Sequence, residues 1–131
     1  MINNFFDVVT IDDANKPFTS GSNDYSCFKE LVGKYGVYVF QERHTGQVQY
    51  VGMASKQDLK DRIVQNYTKK DTGGTFRINF CEVENKPFDD FKKFLSTCNI
   101  KIMSIDTDQK SLIAAIEAIL ISALKPKYNK T

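Results

Sequence analysis

Apolar and polar positions first fall into a regular pattern at Tyr35. The run 35–41 (YGVYVFQ) is dense in β-branched and aromatic residues, 42–46 (ERHTG) carries turn chemistry, and 47–52 (QVQYVG) returns as a second run of the same kind. This pattern predicts a β-hairpin. Ser55 with Asp58 three positions on has the form of a capping box. A helix should follow to about Tyr67, with Leu59, Ile63 and Tyr67 inward. Residues 69–74 read as a loop. The next stretch fits two periods: Phe76, Ile78 and Phe80 alternate as in a strand, yet Phe76, Phe80 and Val83 share a helical face, and a helix capped by Thr75 is favoured. A short amphipathic helix is predicted over 88–95 after Pro87, a strand over 100–105, and a last helix from about Asp108 to Leu124, closed by Lys125-Pro126. Before residue 34 the pattern is poor: 19–23 looks like a loop and 24–32 like a short helix with Phe28, Leu31 and Val32 inward. The expected architecture is α+β, a small central antiparallel three-stranded sheet flanked by helices. Its domain spans 34–131, behind an N-terminal acidic extension (1–33) to which no role is assigned.

Composition changes this picture little. With 131 residues, 41% of them hydrophobic and 26% charged, the chain has the make-up of one ordinary globular domain. No secretory signal is read at the N-terminus, and the most apolar run, 112–124, is too short to span a bilayer. Cys27, Cys81 and Cys98 are odd in number and outside any CxxC pair, which argues against a zinc site or disulfide framework and for a reducing cytoplasmic setting. The net charge is only +2, but its distribution is uneven. Residues 1–33 hold two lysines against five acids, whereas Lys56, Lys60, Arg62, Lys69, Lys70 and Arg77 gather positive charge, as do Lys125, Lys127 and Lys130. That gradient suits a polyanion, although on this feature alone a solvated lysine-rich face is the better reading.

Glu117 is the informative residue. It is the only charge in 112–124, and its helical neighbours Ile113, Ala114, Leu120 and Ile121 are all apolar. A carboxylate there should be protonated, paired with a buried cation, or bound to a metal. Arg62 follows Leu59 by three and so borders the buried face of its helix, where a guanidinium can offer a fork of donors to phosphate or pair with Glu117. Tyr38 and Tyr50 lie on the two arms of the hairpin, and each alone reads as packing. Gly36 and Gly52 weaken their strands unless something approaches the backbone closely there. His44, the only histidine, reads as a solvated turn residue.

Taken in order, Gly36-Val37-Tyr38, Tyr50-Val51-Gly52, Arg62, Glu117 on an apolar helix, and Pro126-Lys127-Tyr128-Asn129 resemble the GIY-YIG nuclease superfamily over roughly residues 34–131. Five features in sequence make the resemblance specific where either triplet alone would be weak. It implies a small stand-alone metal-dependent endonuclease acting on DNA. Glu117 would be the carboxylate ligand of one divalent ion, Mg2+ or Mn2+, and Arg62 the clamp on the phosphate. Tyr38 would be the general base with Tyr50 as its neighbour or substitute, and Asn129 would orient water or phosphate. Gly52, Lys56, Lys60, Lys69, Lys70 and Arg77 would contact nucleic acid. Specificity would come from DNA structure, a homodimer or a partner protein, and no membrane is involved. Two positions depart from the family: Met53 stands where some relatives have lysine, with Lys56 nearby, and Asn66 stands where many have histidine or tyrosine. The competing readings are a non-catalytic nucleic-acid-binding module on the same fold, and a plain interaction domain in which Glu117 pairs with Arg62.

Overall fold

The computed structural model describes residues 6–19 and 24–130. Its centre is a wholly antiparallel sheet of order β1-β4-β2-β3, formed by β1 (Phe6–Ile11), β2 (Gly36–Glu42), β3 (Val48–Ala54) and β4 (Cys98–Ile105). The helices are α1 (Lys16–Thr19), α2 (Leu59–Val64), α3 (Thr75–Glu84), α4 (Phe88–Leu95) and α5 (Lys110–Leu124). Tight 3-10 turns cover Ser26–Leu31 and Gln65–Tyr67.

The hairpin forms where alternation predicts it, with β2 and β3 paired so that Tyr38 faces Gly52 and Phe40 faces Tyr50. Every second residue of these strands, Tyr38, Phe40 and Tyr50, joins the main core with Ile63, Phe76 and Ile100. The helix favoured after Thr75 is present, and it buries Phe76 and Phe80. A second, smaller core of Val37, Ile105 and Ile113 lies on the other face of the sheet, beneath α5.

Three expectations are corrected. The sheet has four strands: the extra one, β1, comes from the unpatterned lead-in and pairs with β4 from Phe6–Ile105 to Ile11–Ile100. The lead-in is tied down further by Ala14, whose N–H donates to the Cys98 carbonyl (2.9 Å) and whose carbonyl accepts from the buried Tyr67 hydroxyl (2.6 Å). The cap of α2 is Asp58, which accepts from the Asp61 N–H (2.8 Å), so Ser55 has no capping role. Of the lead-in helix, Phe28 and Leu31 are buried as expected, whereas Val32 is exposed. The part of the predicted loop over 20–23 lies outside the described residues.

The outer edge of β3 is closed by the C-terminal residues. The Lys127 and Tyr128 N–H groups donate to the carbonyls of Val48 (3.2 Å) and Gln49 (2.9 Å). The helix α5 crosses β3 and β2, yet it is less buried than its composition suggests: Ile113 alone is fully buried, and Ile119 is 64% exposed.

Candidate active site

The hairpin register brings the two tyrosines together. Both point to the main-core side of the sheet, with ring centroids 6.3 Å apart. Tyr50 stacks on Phe76 at 5.1 Å, which fixes its ring at the sheet margin. Gly52 sits directly beneath the Tyr38 ring, and a Cβ there would lie 2.3 Å from Cζ of Tyr38. The close approach at Gly52 is thus made by the Tyr38 ring across the hairpin.

Arg62 leaves the last turn of α2 beside this pair. Its Nη1 donates to Oε1 of Gln65 (2.8 Å) and to the Gly73 carbonyl (2.9 Å), and Gln57 Nε2 donates to the same Gln65 oxygen (2.8 Å). Both partners of the guanidinium are neutral. Its charge is therefore held in place without being neutralised. From the opposite side α5 brings Glu117. Tyr50, Arg62 and Glu117 line one cleft of about 510 Å³, joined by Met53, Lys56, Gln57 and Thr75. Tyr38 lies behind Tyr50, fully buried.

The electrostatics follow from this packing. Burial pushes the Glu117 carboxyl above its ordinary range, and Arg62 opposes the rise. Burial likewise pushes both phenols up. Arg62 counters this at each, and so do the neighbouring side chains of Asn66 at Tyr38 and Thr75 at Tyr50. The Glu117 carboxylate has no hydrogen bond or ion pair among the described residues, so the competing arrangement in which it pairs with Arg62 is not formed. The half-desolvated carboxylate thus opens towards the cleft rather than into a pair. A lone hard oxygen donor of this kind fits a divalent ion that keeps most of its water. Among the described residues no three potential ligands of the His, Cys, Asp or Glu types cluster, so the remaining ligands of such an ion would have to be water and substrate oxygens.

Other expected residues lie elsewhere. Arg77 is turned inward, 5% exposed, with its guanidinium donating to the carbonyls of Gln65 (3.0 Å), Thr68 and Asp71. It closes the loop before α3, and it borders the depression on which Lys69 opens rather than the cleft that holds Arg62. Asn129 spends both ends of its amide on Val51: Oδ1 accepts from the Val51 N–H (2.9 Å) and Nδ2 donates to the Val51 carbonyl (2.8 Å). It mimics a strand partner on the edge of β3, and it also lines a neighbouring cleft together with Glu117. Lys56 lines the cleft, as does Met53. Lys69 opens on a separate depression with Ile78, Glu82 and Lys86, and neither Lys60 nor Lys70 lines the cleft. His44 is exposed in the hairpin turn.

Three polar residues at the site were missed as such. Gln65 follows Arg62 by three, a helical spacing that would have flagged it. Thr75 carries only a cap signal in the sequence, but α3 begins with it and it lines the cleft with Tyr50. Gln57 carries no sequence signal at all. Asn66, noted as a departure, is buried against Tyr38 and accepts from the Arg77 N–H (3.1 Å).

No curated protein matches the chain. The family profile of the GIY-YIG catalytic domain matches residues 26–123. The match begins within the acidic lead-in, at the turn that buries Phe28, and ends just before Lys125. Because it spans well over half of the sequence and includes Tyr38, Tyr50, Arg62 and Glu117, the chain belongs to the GIY-YIG nuclease superfamily.

Proposed function

We propose that this domain is an endonuclease that hydrolyses DNA phosphodiester bonds in the cleft between Tyr50, Arg62 and Glu117. One observation carries the reading: an unpaired carboxylate, a guanidinium held only by neutral partners and a tyrosine line the same cleft, with a second phenol directly behind. Glu117 would hold one divalent ion, Mg2+ or Mn2+. When bound, such an ion supplies positive charge to the scissile phosphate and the departing oxygen.

The chain's own groups divide the remaining work. Arg62 presents the donors not taken by Gln65 and Gly73 to the non-bridging phosphate oxygens, where negative charge grows during attack. The tyrosine pair would take the proton from the attacking water as a phenolate, a form that burial opposes and that Arg62, together with a cation held by Glu117, would have to favour. Tyr50 faces the cleft and Tyr38 backs it, so the base is better assigned to the pair than to Tyr38 alone. Lys56 extends positive charge along the wall and stands close to Met53, where some relatives carry lysine. One such cleft cuts one strand, so a double-strand break requires two copies or two encounters. Three free thiols fit a reducing, cytoplasmic setting, and none of the described helices is long and apolar enough to cross a membrane.

The second reading, a nucleic-acid-binding module without chemistry, is favoured by Met53 lining the cleft in place of a cation. Nicking of supercoiled plasmid in Mg2+ or Mn2+ separates the two. Wild type should nick, and Glu117→Gln and Arg62→Ala should each lose about 100-fold or more in rate. Nicking indifferent to Glu117→Gln would remove the mechanism. No nicking by wild type, with DNA binding retained, would establish the binding module instead.

A further inference from the structure

Glu117 belongs to two clefts. Beyond the one that holds Arg62 lies a second, of about 590 Å³, walled by Ala118, Ile121, Ser122, Lys125, Pro126 and Asn129. Both volumes fall in the range of small-ligand sites, about 300–1,000 Å³. The two clefts share Glu117, so taken together as one trough they reach from Arg62, past the proposed reaction centre, to Lys125 at the end of α5. Glu117 is the sole acid among the lining residues of either part, with Lys56 and Arg62 on one side of it and Lys125 on the other.

Lys125 differs from the lysines that follow it. Lys127 is engaged by Glu84 (3.6 Å) and Lys130 by Glu82 (2.9 Å), whereas the Lys125 ammonium has no partner among the described residues. Its backbone is left-handed (φ 49°, ψ 60°), and it closes α5 through an N–H bond to the Ile121 carbonyl (3.0 Å). Glycine is the residue that adopts this helix-ending geometry without strain. A lysine here adds a side chain at the mouth of the second cleft, where Ser122 offers a hydroxyl and Ala118, Ile121 and Pro126 offer an apolar wall.

We infer that the trough carries the nucleic-acid strand that flanks the scissile phosphate, with Lys125 holding the phosphate of a neighbouring nucleotide and the apolar wall supporting its sugar or base. This inference rests on the reading of the first cleft as a nuclease site and extends the contact surface to a position that the expected Lys56–Arg77 segment does not include. A lysine at a helix C-terminus also complements the helix dipole. That role would show in stability alone.

The test is fluorescence anisotropy of a labelled 20-nucleotide strand and the corresponding duplex with the full chain, in EDTA so that nothing is cut, over a series of NaCl concentrations. Lys125→Ala should weaken binding by about three- to tenfold and flatten the slope of log affinity against log salt by about 0.7–0.9, the signature of one lost phosphate contact. Lys125→Arg should restore both. Lys101→Ala, in the separate groove formed with Val8, Val37 and Leu124, should change neither. An unchanged slope in Lys125→Ala, or one altered equally in Lys101→Ala, overturns the inference, as does a lowered melting temperature with intact binding. A flat result alongside Glu117-dependent nicking removes the track and leaves the nuclease. A lost phosphate contact alongside Glu117-independent nicking does the reverse.

Discussion

Arg77 and Arg62 stand on adjoining elements with opposite duties, and the difference lies in what each guanidinium touches. Arg77 satisfies three loop carbonyls from the inside, while Arg62 is braced by one carbonyl and one side-chain amide and keeps donors turned towards the cleft. Carbonyls removed from water are costly to leave bare, at about 1–3 kcal/mol each unless water enters. Arg77→Met, which keeps the apolar stem, should therefore lower unfolding free energy by about 2–4 kcal/mol. Lys60→Met on the neighbouring helix should stay within about 0.5 kcal/mol of wild type. Urea denaturation of the two variants makes the comparison, and equal midpoints would show that the loop carbonyls find water instead. Glu117 was legible because a lone charge in an apolar run stands out on periodicity alone. Arg77 and Asn129 were not: composition says that a side chain can donate, and only the folded chain says whether a phosphate or an orphaned backbone group receives the bond.

Among the elements, the β2–β3 hairpin is the one on which the site most depends, and one carboxylate gathers three of the hydrogen bonds in its turn. Glu42 accepts from the His44 N–H (2.9 Å), the Thr45 N–H (2.7 Å) and the Thr45 hydroxyl (2.6 Å). The Thr45 hydroxyl bond, reinforced by those backbone donors, holds its pKa at about 2, below an ordinary value of 4.5. A carboxylate depressed by folding contributes stability above its unfolded pKa, and that contribution disappears as pH falls towards the folded value. Glu42→Gln should therefore unfold at lower urea than wild type at pH 7, and the gap should close between about pH 4.5 and pH 2. A gap that persists at pH 2 would mean that Glu42 acts through packing rather than charge. The hairpin and α5 were readable because their apolar spacing is long and local, whereas α3 fitted a strand period as well as a helical one. The strand β1 was not, since it is six residues long, mostly exposed, and partnered with β4 some ninety positions away. The cap of α2 slipped by three residues because Ser55 and Asp58 are both good capping types, and the main chain uses the later one.

For the molecule as a whole, the question is how much of the chain the nuclease fold requires. The resemblance in sequence begins near residue 34, and the family profile begins at residue 26, yet β1 and Ala14 lie before both. With β1 in place, β4 is an interior strand and its backbone is paired on both sides. Without it, β4 becomes an edge, Ile11 leaves its place against the main core, and the buried Tyr67 hydroxyl loses its only acceptor among the described residues. An unsatisfied buried hydroxyl alone costs about 1–3 kcal/mol, and the apolar contacts of Ile11 and Ala14 add to it. Against a total of about 5–15 kcal/mol for a domain of this size, deletion of residues 1–15 should lower the melting temperature by at least about 10 °C. Tyr67→Phe, which removes only the hydroxyl, measures that share separately and should account for the smaller part of the loss. A truncated chain that melts like wild type would show that 16–131 is self-sufficient and that β1 merely decorates the sheet. A large loss would place the lead-in inside the folding unit and explain how Tyr67, at the end of the segment that bears Arg62, is held in register with the far side of the sheet.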